Sequence, residues 1–512
     1  MPVAARNDTL RYRAEKFISR NPLVVAALLI AFTALLAGVF IAGYQARIAN
    51  TERARAERRF NDVRRLANSF IFEVNEKIEE SPIKARELLV ERAVEYLDNL
   101  ATEAEGDESL QSELASAYEK IGDVLNERFS SGTGNTSGAL ENHQKALRIR
   151  ERLFSTAPKN LPYSLNLVSS YLKIADLSVT VGNTPAALEN YQKAVSTIET
   201  ARQNNPDEPD VKSELALVYA KLGQGILRSG SISKSLEYYE KAAAITKELA
   251  AENPSNIKFQ HRVSVYQQYS AYAMLEMGKE TEALDNFLEA FEIERQIWES
   301  DRENVEHRRN LSIVEFWLGI TLRKLRRFDE SLNHHHNALE IEQKIYDSDK
   351  LNVGDMNSLA DCHLETGWTL LEIGNLPAAI ENFKTAIALY ESVARIDRSN
   401  LSAQRQISFT RRKLGDAFLK SKNTAKAIQT FETALSESES VNQKDPQNSE
   451  FRHDKALCLI RIAEINLRDK TKAESNLNQA IQILEKLTAE SPEHRKRQAD
   501  LEYARNLLAK LG

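Results

Sequence analysis

Three consecutive histidines are the first place in the chain to look for metal chemistry. His334, His335 and His336 carry imidazole nitrogens, which zinc binds readily. Neighbouring residues of a helix point about 100° apart, so three in a row cannot converge on one ion. His363, further along the chain, is a candidate additional ligand. We nevertheless expect no metal site and interpret His335 as a packing residue.

A glycine-rich segment, Gly132–Gly138, has the composition of a phosphate-binding loop. It follows a predicted helix rather than a strand, and no Lys-Ser or Lys-Thr pair comes after it, so we interpret it as a connector between helices. Acidic pairs such as Glu79 and Glu80 fit a solvated helix face. Cys362 and Cys458 are interpreted as small core residues. Since no Ser-His-Asp or Cys-His arrangement stands out, the sequence predicts no enzyme activity and no cofactor.

The overall composition favours helices. Charged residues make up 28% and aromatic residues 7% of the 512 residues. Such a balance, rich in alanine, leucine and charged residues, is typical of helical proteins. The formal net charge is −6. Because phosphate binding requires a concentrated basic face, we expect no nucleic acid partner.

The elements that position these residues recur with a fixed period. From Leu110 onward an alanine returns every 48 residues, with two residues fewer before the last copy. A period in this range indicates a solenoid of stacked hairpins, each made of a helix A and a helix B. The alanines are Ala146, Ala194, Ala242, Ala290, Ala338, Ala386, Ala434 and Ala480.

One repeat illustrates the predicted hairpin. Asp210–Ser229 has helical spacing of its apolar residues and is predicted to be helix A. Gly230 would end it with a positive φ, which glycine adopts without a steric penalty. A small residue in helix A and the periodic alanine in helix B let the two helices approach, and an aromatic residue three positions before the alanine fills the space beside them. We therefore predict an all-α chain with eight elongated hairpins forming a right-handed superhelix.

This pattern resembles the tetratricopeptide repeat family, in which helix A carries a small residue and helix B carries Ala, an aromatic residue and Ala. The resemblance runs from Leu110 to about Leu511 and implies binding of protein or peptide ligands. The family's unit has about 34 residues, so each helix here is about two turns longer. The matching residues are Gly319, Ser331, His335 and Ala338 in one repeat and Gly367, Ala379, Phe383 and Ala386 in the next.

A segment near the N-terminus is apolar enough to span a membrane. Leu23–Ala42 is an uncharged run of 20 residues, about the thickness of the hydrocarbon core of a bilayer. A cleaved signal peptide is the alternative, although a typical signal core has only about 7–15 residues. Arginines flank both sides, with a slight excess after the span that favours a cytoplasmic C-terminal side. We expect a single-pass membrane protein, held in the lipid bilayer by residues 22–44.

Two further helices are predicted between the anchor and the repeats. Apolar residues from Phe60 to Val74 are spaced three and four apart, and Pro82 begins a second helix. We interpret them as a hairpin that caps the first repeat, with a short coiled coil forming a homodimer as the alternative. The predicted divisions are a cytoplasmic basic segment at 1–21, a transmembrane helix at 22–44, the juxtamembrane helix and capping hairpin at 45–106, and the solenoid at 107–512.

The segments Glu57–Ile78 and Leu88–Leu125 also resemble the C-terminal half of bacterial membrane-anchored serine/threonine protein kinases. The resemblance implies that the membrane is the bacterial inner membrane and that the repeats lie outside the cytoplasm, against the arginine excess. Kinase activity is not implied, because the sequence has no Gly-rich nucleotide loop, no His-Arg-Asp and no Asp-Phe-Gly. The leading hypothesis is a non-catalytic, membrane-anchored scaffold or sensor that mediates protein–protein interactions in bacterial signalling. The alternative is the regulatory part of a kinase whose catalytic domain is missing or separately encoded.

The predicted partner surface is the groove formed mainly by helix A of successive repeats. Aromatic side chains beside basic ones suit an extended or helical peptide with acidic character. The alternative is that the aromatic residues, Trp368 and Phe316 above all, pack between neighbouring repeats. The candidate residues are Tyr272, Phe316, Ile320, Arg323, Lys324, Trp368, Arg412 and Lys420.

Overall fold

The structure is a computed structural model that describes residues 10–68, 82–103, 106–126, 136–180, 183–396, 400–446, 448–467, 469–490, 492 and 494–511. Within these residues the regular structure is helical, which confirms the predicted all-α fold. Most of Gly132–Gly138 and the side chains from Phe60 to Val74 lie outside the described residues. The connector, the capping hairpin and the coiled coil therefore stay predictions.

The helices follow one another along the described residues with short connections. In chain order they are α1 (Leu10–Arg20), α2 (Pro22–Asn68), α3 (Pro82–Glu103), α4 (Glu108–Asn126), α5 (Thr136–Thr156), α6 (Leu161–Thr180), α7 (Thr184–Asn204), α8 (Pro209–Arg228), α9 (Ile232–Glu252), α10 (Ile257–Glu276), α11 (Glu280–Ser300), α12 (Val305–Lys324), α13 (Phe328–Ser348), α14 (Val353–Ile373), α15 (Leu376–Ile396), α16 (Leu401–Lys420), α17 (Thr424–Lys444), α18 (Ser449–Ile465), α19 (Lys470–Glu490) and α20 (Arg495–Ala509).

The chain divides into two compact units, Met1–Leu153 and Phe154–Gly512. In unit 1, the 47-residue helix α2 continues without a break through the boundary predicted at residue 44. Phe32–Arg55 within α2 is long and apolar enough to cross a bilayer, with a mean hydropathy of 1.4. Large apolar side chains of this helix are exposed, including Leu35 at 67% and Phe40 at 81%. The predicted span at residues 22–44 overlaps this segment but begins and ends earlier.

Unit 2 consists of stacked helical hairpins. In the described residues α6 to α19 form seven A–B pairs, and each helix from α7 to α19 packs on the one before and the one after it. An eighth pair, α4 and α5, lies mostly in unit 1, where the side chain of His143 on α5 packs against Gly122 on α4. Helix α20 was not anticipated as a separate element. Its Leu501 and Ala504 join the core formed by α18 and α19 and so cover the last hairpin.

The close approach of helices A and B has the cause that the sequence predicted. The ring of Tyr239 lies against Gly223, and the ring of Phe431 lies against Gly415. A Cβ atom on Gly415 would come within 2.7 Å of Cε1 of Phe431. Side chains larger than hydrogen at these positions therefore require the rings to move. This contact fixes the spacing of each hairpin.

The turn between helices A and B requires a positive φ in each repeat where it is described. Gly230, Gly278 and Gly374 have φ values of 95°, 71° and 89°. Arg326 and Lys422 occupy the equivalent positions one repeat after a glycine and have φ values of 62° and 60°. For residues with a Cβ, this conformation costs roughly 1–2 kcal/mol. The turn geometry is thus imposed by the packed hairpin and not only by glycine.

Successive A helices begin at an asparagine, which is a periodic signal separate from the alanines of helix B. The side chains of Asn256, Asn304, Asn352, Asn400 and Asn448 each accept a hydrogen bond from a backbone N–H of the first turn. Each such cap typically contributes about 1 kcal/mol. These residues are 48 apart in the sequence and set the start of helix A in five repeats.

Candidate functional site

The A helices of neighbouring repeats are joined by ion pairs along the predicted partner face. Arg309 on α12 donates to Asp355 on α14 at 2.6 Å. Arg405 on α16 donates to Asp454 at 2.5 Å and to Glu450 at 3.0 Å, both on α18. Much of the charge on this face is therefore used in contacts between repeats.

Arg323 is one of the predicted partner residues that these contacts bury. Its guanidinium pairs with Glu365 and lies 3.5 Å from Glu372. It also stacks over the indole of Trp368, with Cζ 4.0 Å from the ring centroid. Ile320 is buried as well. Contrary to our expectation of exposed groove residues, neither side chain is available to a partner in this conformation.

Two predicted aromatic residues belong to a cluster around Trp317. The rings of Tyr272 and Trp317 are 5.3 Å apart, and those of Phe316 and Trp317 are 5.6 Å apart, both edge to face. Phe287 stacks on the other part of the same indole at 6.1 Å. Tyr272 and Phe316 are half-buried. The ring of Tyr272 packs between repeats, whereas the ring contacts of Phe316 lie within its own repeat, to Trp317 on the same helix and to His335 on α13.

The remaining predicted residues have different surroundings. Lys324 is exposed. Lys420 is exposed along its stem, and its Nζ donates to the backbone carbonyl of Leu371 at 3.0 Å. Arg412 is buried, with its guanidinium 4.9 Å from the centroid of Phe409. Of the eight candidates, Trp368 and Arg412 meet in one cavity.

That cavity has a volume of about 360 Å³ and lies between α14, α16, α18 and α20. We call it the C-terminal cavity. Aromatic rings of Trp368, Phe409 and Tyr503 form part of its wall. Leu457 and Ile460 of α18 form an apolar part. Together they offer a flat, apolar surface on one side.

Charged groups line the rest of the C-terminal cavity. Arg412, Lys413, Arg461 and Lys496 are its cations, and Asp500 is its carboxylate, which gives four positive side chains against one negative. Arg461 is neutralised by its neighbours on α16 and α18. Burial raises the pKa of Asp500, but the hydrogen bond from His453 of α18 and the positive charges of His453, Lys496 and Arg412 together outweigh burial, so the pKa is lowered. The cavity therefore has a positive excess, centred on α16.

Lys413 is the most unusual of these cations. Its side chain is 9% exposed, and its Nζ lies 3.3 Å from the centroid of the Trp368 ring and 5.7 Å from that of Phe409. Among the described residues no carboxylate or carbonyl oxygen lies within hydrogen-bonding distance of Nζ. Burial, with Arg412 adding a like charge, lowers the pKa of Lys413 well below its usual value. The ammonium is thus held at the cavity wall without an anionic partner.

A second cavity, of about 550 Å³, lies between α6, α8 and α10, and we call it the N-terminal cavity. Its charges are balanced, and Lys221 pairs with Asp176 at 2.8 Å. Burial raises the pKa of Glu214 in its wall, although Arg262 opposes the shift. Every residue that lines the N-terminal cavity belongs to an A helix, and those of the C-terminal cavity belong to A helices or to α20, which follows the last helix B in the place of a further helix A. The A face therefore holds both recesses.

Two parts of the A face of unit 2, the end of α10 and the start of α20, lie close to each other. A Cβ atom on Gly278, just after α10, would lie 3.5 Å from Nη1 of Arg495 at the start of α20. Burial raises the pKa of Glu276, while Lys324 and Lys496 act in the opposite direction. Lys324 and Lys496 are thus close enough to Glu276 to influence its ionisation. The groove is narrow at this point.

The histidines and cysteines serve packing. His335 is fully buried against Gly319, and burial lowers its pKa to about 3. His334 pairs with Glu315. Cys362 and Cys458 are buried free thiols, as predicted for core residues. Among the described residues no group of three His, Cys, Asp or Glu side chains is arranged to hold a metal ion.

Sequence reasoning missed several residues of the C-terminal cavity. Lys413 and Arg461 are 48 residues apart and could have been found as a basic column on helix A. Lys496, Asp500 and Tyr503 come from α20, which follows the last periodic alanine. No repeat signal marks these three, so their part in the cavity required the structure.

Comparison with known proteins gives a family match for the middle of the array. Residues 310–392 match the family model described as tetratricopeptide repeat. No curated protein sequence matches the chain.

The solved structures that resemble this chain have low sequence identity to it and low TM-scores. Aspartyl phosphate phosphatase F from Bacillus subtilis is 12% identical with a TM-score of 0.46, covering 77% of this chain and 92% of its own. The apo form of RapI is 12% identical with a TM-score of 0.45, covering 64% and 99%. BtubC (BKLC) from P. vanneervenii is 20% identical with a TM-score of 0.38, covering 52% and 91%. Similarity at this level does not indicate which partner this chain binds or which activity it has. Residues 310–392 match the tetratricopeptide repeat family, and the described hairpins are stacked as in the solenoids of that fold.

Proposed function

We propose that this chain is a non-catalytic scaffold or sensor, anchored in a membrane, that binds a protein or peptide on its A face. The observation that supports it most is that both cavities are lined by A helices, with α20 completing the C-terminal one. Stacked hairpins bury their apolar sides against one another and leave one continuous face for recognition. The exposed Lys324 and the half-buried Tyr272, Phe316 and Trp368 add contacts beside the cavities.

Site-specific photo-crosslinking tests the A face as a partner surface. A photoreactive amino acid replaces Ser169 in the N-terminal cavity or Lys324 beside α10, in the full chain in its native membrane. Lys384 on the solvent side of α15 is the matched control position. We expect a discrete adduct from the first two positions and none from the third. Equal adducts from all three, or none from the A face, would refute the proposal.

The anchor is supported by the exposure of apolar side chains on α2. Leu35 and Phe40 would be stabilised in a hydrocarbon environment, since burying each large apolar side chain is worth about 1.5–3 kcal/mol. We place the repeats outside the cytoplasm, as the kinase resemblance implies. Division of the chain at residues 21, 44 and 106 and a dimer through the juxtamembrane helix remain proposals, as does a role in signalling.

Protease treatment of intact cells that express the chain with a C-terminal tag tests this arrangement. Loss of the tag is expected, with extraction into detergent but not into alkaline carbonate. Protection of the tag in intact cells would place the repeats in the cytoplasm, and release by carbonate would refute the anchor. A cleaved signal peptide would show as a mature chain that lacks the apolar segment.

A further inference from the structure

The C-terminal cavity has a cation that the protein itself does not neutralise. Lys413 is nine-tenths buried, lines the cavity and has its Nζ against two aromatic rings. The carboxylate that acts most strongly on its charge, Asp416, is paired with Arg461. A buried charge without a hydrogen bond or an ion pair is costly, and the attraction to an indole offsets only part of that cost. An arrangement of this kind is explained most simply if an anion joins it from solution.

The neighbouring charges do not fill this role. Arg461 is already paired, with Asp416 at 3.1 Å and with Glu464 at 2.7 Å. Asp500 accepts a hydrogen bond from His453 at 2.8 Å. Arg412 lies 3.9 Å from Asp454, and that carboxylate is held more closely by Arg405, at 2.5 Å. Its Nε has no acceptor. Arg412 therefore adds a second incompletely paired cation beside Lys413.

Part of the cavity wall is apolar and suits a flat apolar body. The rings of Trp368 and Phe409 are in contact with Lys413, and Tyr503, Leu457 and Ile460 add a further ring and two aliphatic side chains. The volume of about 360 Å³ is at the lower end of the range of small-molecule sites, roughly 300–1,000 Å³. The occupant is therefore a compact molecule and not a long segment of chain.

We propose that the C-terminal cavity binds a small organic anion, with its carboxylate or equivalent oxyanion on Lys413 and Arg412 and its flat apolar body against Tyr503, Leu457 and Ile460. The inference goes beyond the partner surface proposed above and does not require a protein ligand. The anion supplies the acceptor that Lys413 lacks. Because α14, α16, α18 and α20 all contribute to the wall, occupation ties the last repeats to the helix that covers them.

Isothermal titration calorimetry of the full chain in detergent micelles tests the proposal with 2-naphthoate as the probe. Its neutral isostere, 2-naphthamide, has the same ring system without the charge. We expect naphthoate to bind and naphthamide to bind at least about tenfold more weakly, since a hydrogen bond to a charged group is worth about 1.5–3 kcal/mol. No detectable binding of naphthoate, or equal binding of both compounds, would overturn the proposal without any mutation.

Variants locate the site. Lys413→Met is expected to weaken naphthoate binding about tenfold or more, while Lys384→Met, which removes the same charge from an exposed position, leaves it unchanged. Unfolding curves establish that both variants are folded. N-acetylphenylalanine in the same assay represents a terminal peptide carboxylate. Tighter binding of that compound than of naphthoate would assign the cavity to a chain end and overturn the small-molecule assignment.

Proton uptake gives a readout that non-specific apolar binding would not produce. Burial holds the pKa of Lys413 well below its usual value, so its amine holds a proton less firmly in the free protein than the amine of an exposed lysine does. An anion beside it favours the charged form. Titrations in two buffers of different ionisation enthalpy should therefore show uptake of a proton with naphthoate in the unsubstituted chain and no uptake in Lys413→Met. Equal uptake by both would contradict a contact with Lys413.

Discussion

Replacing Lys413 with methionine is expected to stabilise the ligand-free protein. The ammonium is buried against Trp368 without an acceptor, and an unsatisfied buried polar group costs about 1–3 kcal/mol, or more when it is charged. Loss of the cation–π contact removes roughly 2 kcal/mol of attraction. Methionine has a similar length and regains about 0.3–1.5 kcal/mol from its sulfur against the ring. The balance is a gain of about 1–2 kcal/mol in the free energy of unfolding near pH 7.

This gain should depend on pH in a defined direction. Because the pKa of Lys413 is lowered on folding, the unfolded chain binds a proton more readily than the folded chain. The resulting penalty is present in full below the folded pKa and disappears above the unfolded pKa, near 10.4. The advantage of Lys413→Met is therefore largest at neutral pH and becomes smaller as the pH rises towards 10.

Urea unfolding at pH 7 and pH 10, followed by far-UV circular dichroism, measures both quantities. Lys384→Met is the control, because its side chain is exposed and its removal should shift the midpoint equally little at both values. Adding naphthoate should stabilise the unsubstituted chain by about 2.7 kcal/mol at 100 times its Kd, and Lys413→Met much less. A variant that is destabilised at pH 7, or equally stabilised at both pH values, would refute this account of Lys413.

Other substitutions test the packing of the repeats. Burial lowers the pKa of His335 to about 3, so as the pH falls below 6.5 the unfolded chain takes up a proton before the folded chain does. The free energy of unfolding should therefore be about 3 kcal/mol lower at pH 4 than at pH 7 on account of His335, and His335→Phe should remove this loss. Urea unfolding at the two pH values measures the difference. Arg326→Gly should raise the free energy of unfolding by about 1 kcal/mol in the same assay, because its φ is 62°. Gly415→Ala should lower it by about 1–2 kcal/mol, since overpacking against the ring opposes the better helix propensity of alanine. Cys362 and Cys458 should react with a thiol reagent after unfolding but not in the native chain, because burial raises their pKa values and blocks access.

The fold was predictable because the same physical constraint repeats every 48 residues. A small residue opposite an aromatic ring indicates that two helices approach closely. The contact between Gly415 and the ring of Phe431 is an example. The positive φ at the turn was predicted where glycine marks it. It was not predicted at Arg326, because an arginine gives no local signal for that conformation and only the packed hairpin imposes it. Helix α20 was also not predicted as an element. No helix B with its periodic alanine follows it, so no repeat signal marks it.

The candidate site was harder to predict, because it depends on contacts between A helices of different repeats. Arg323 is correctly placed on the A face, but it is buried by carboxylates 42 and 49 residues later. Trp368 meets Lys413, 45 residues later. These offsets differ from the period of 48, and the sequence alone does not give which residue of the next helix A each side chain contacts. Residue types on a helix face were therefore predictable, and their pairing was not.

The absence of a partner for Lys413 follows from what stands at the same position in the adjacent repeats. One period earlier the residue is Glu365, which Arg323 already binds. One period later it is Arg461, which has the same charge and holds two carboxylates of its own. An unpaired carboxylate at either position could form an ion pair with Lys413, as Asp355 does with Arg309. Between two neighbours that are already satisfied, Lys413 can be neutralised at the cavity wall only by giving up its proton or by an anion that enters the cavity, and the proton-uptake titration distinguishes these two states directly.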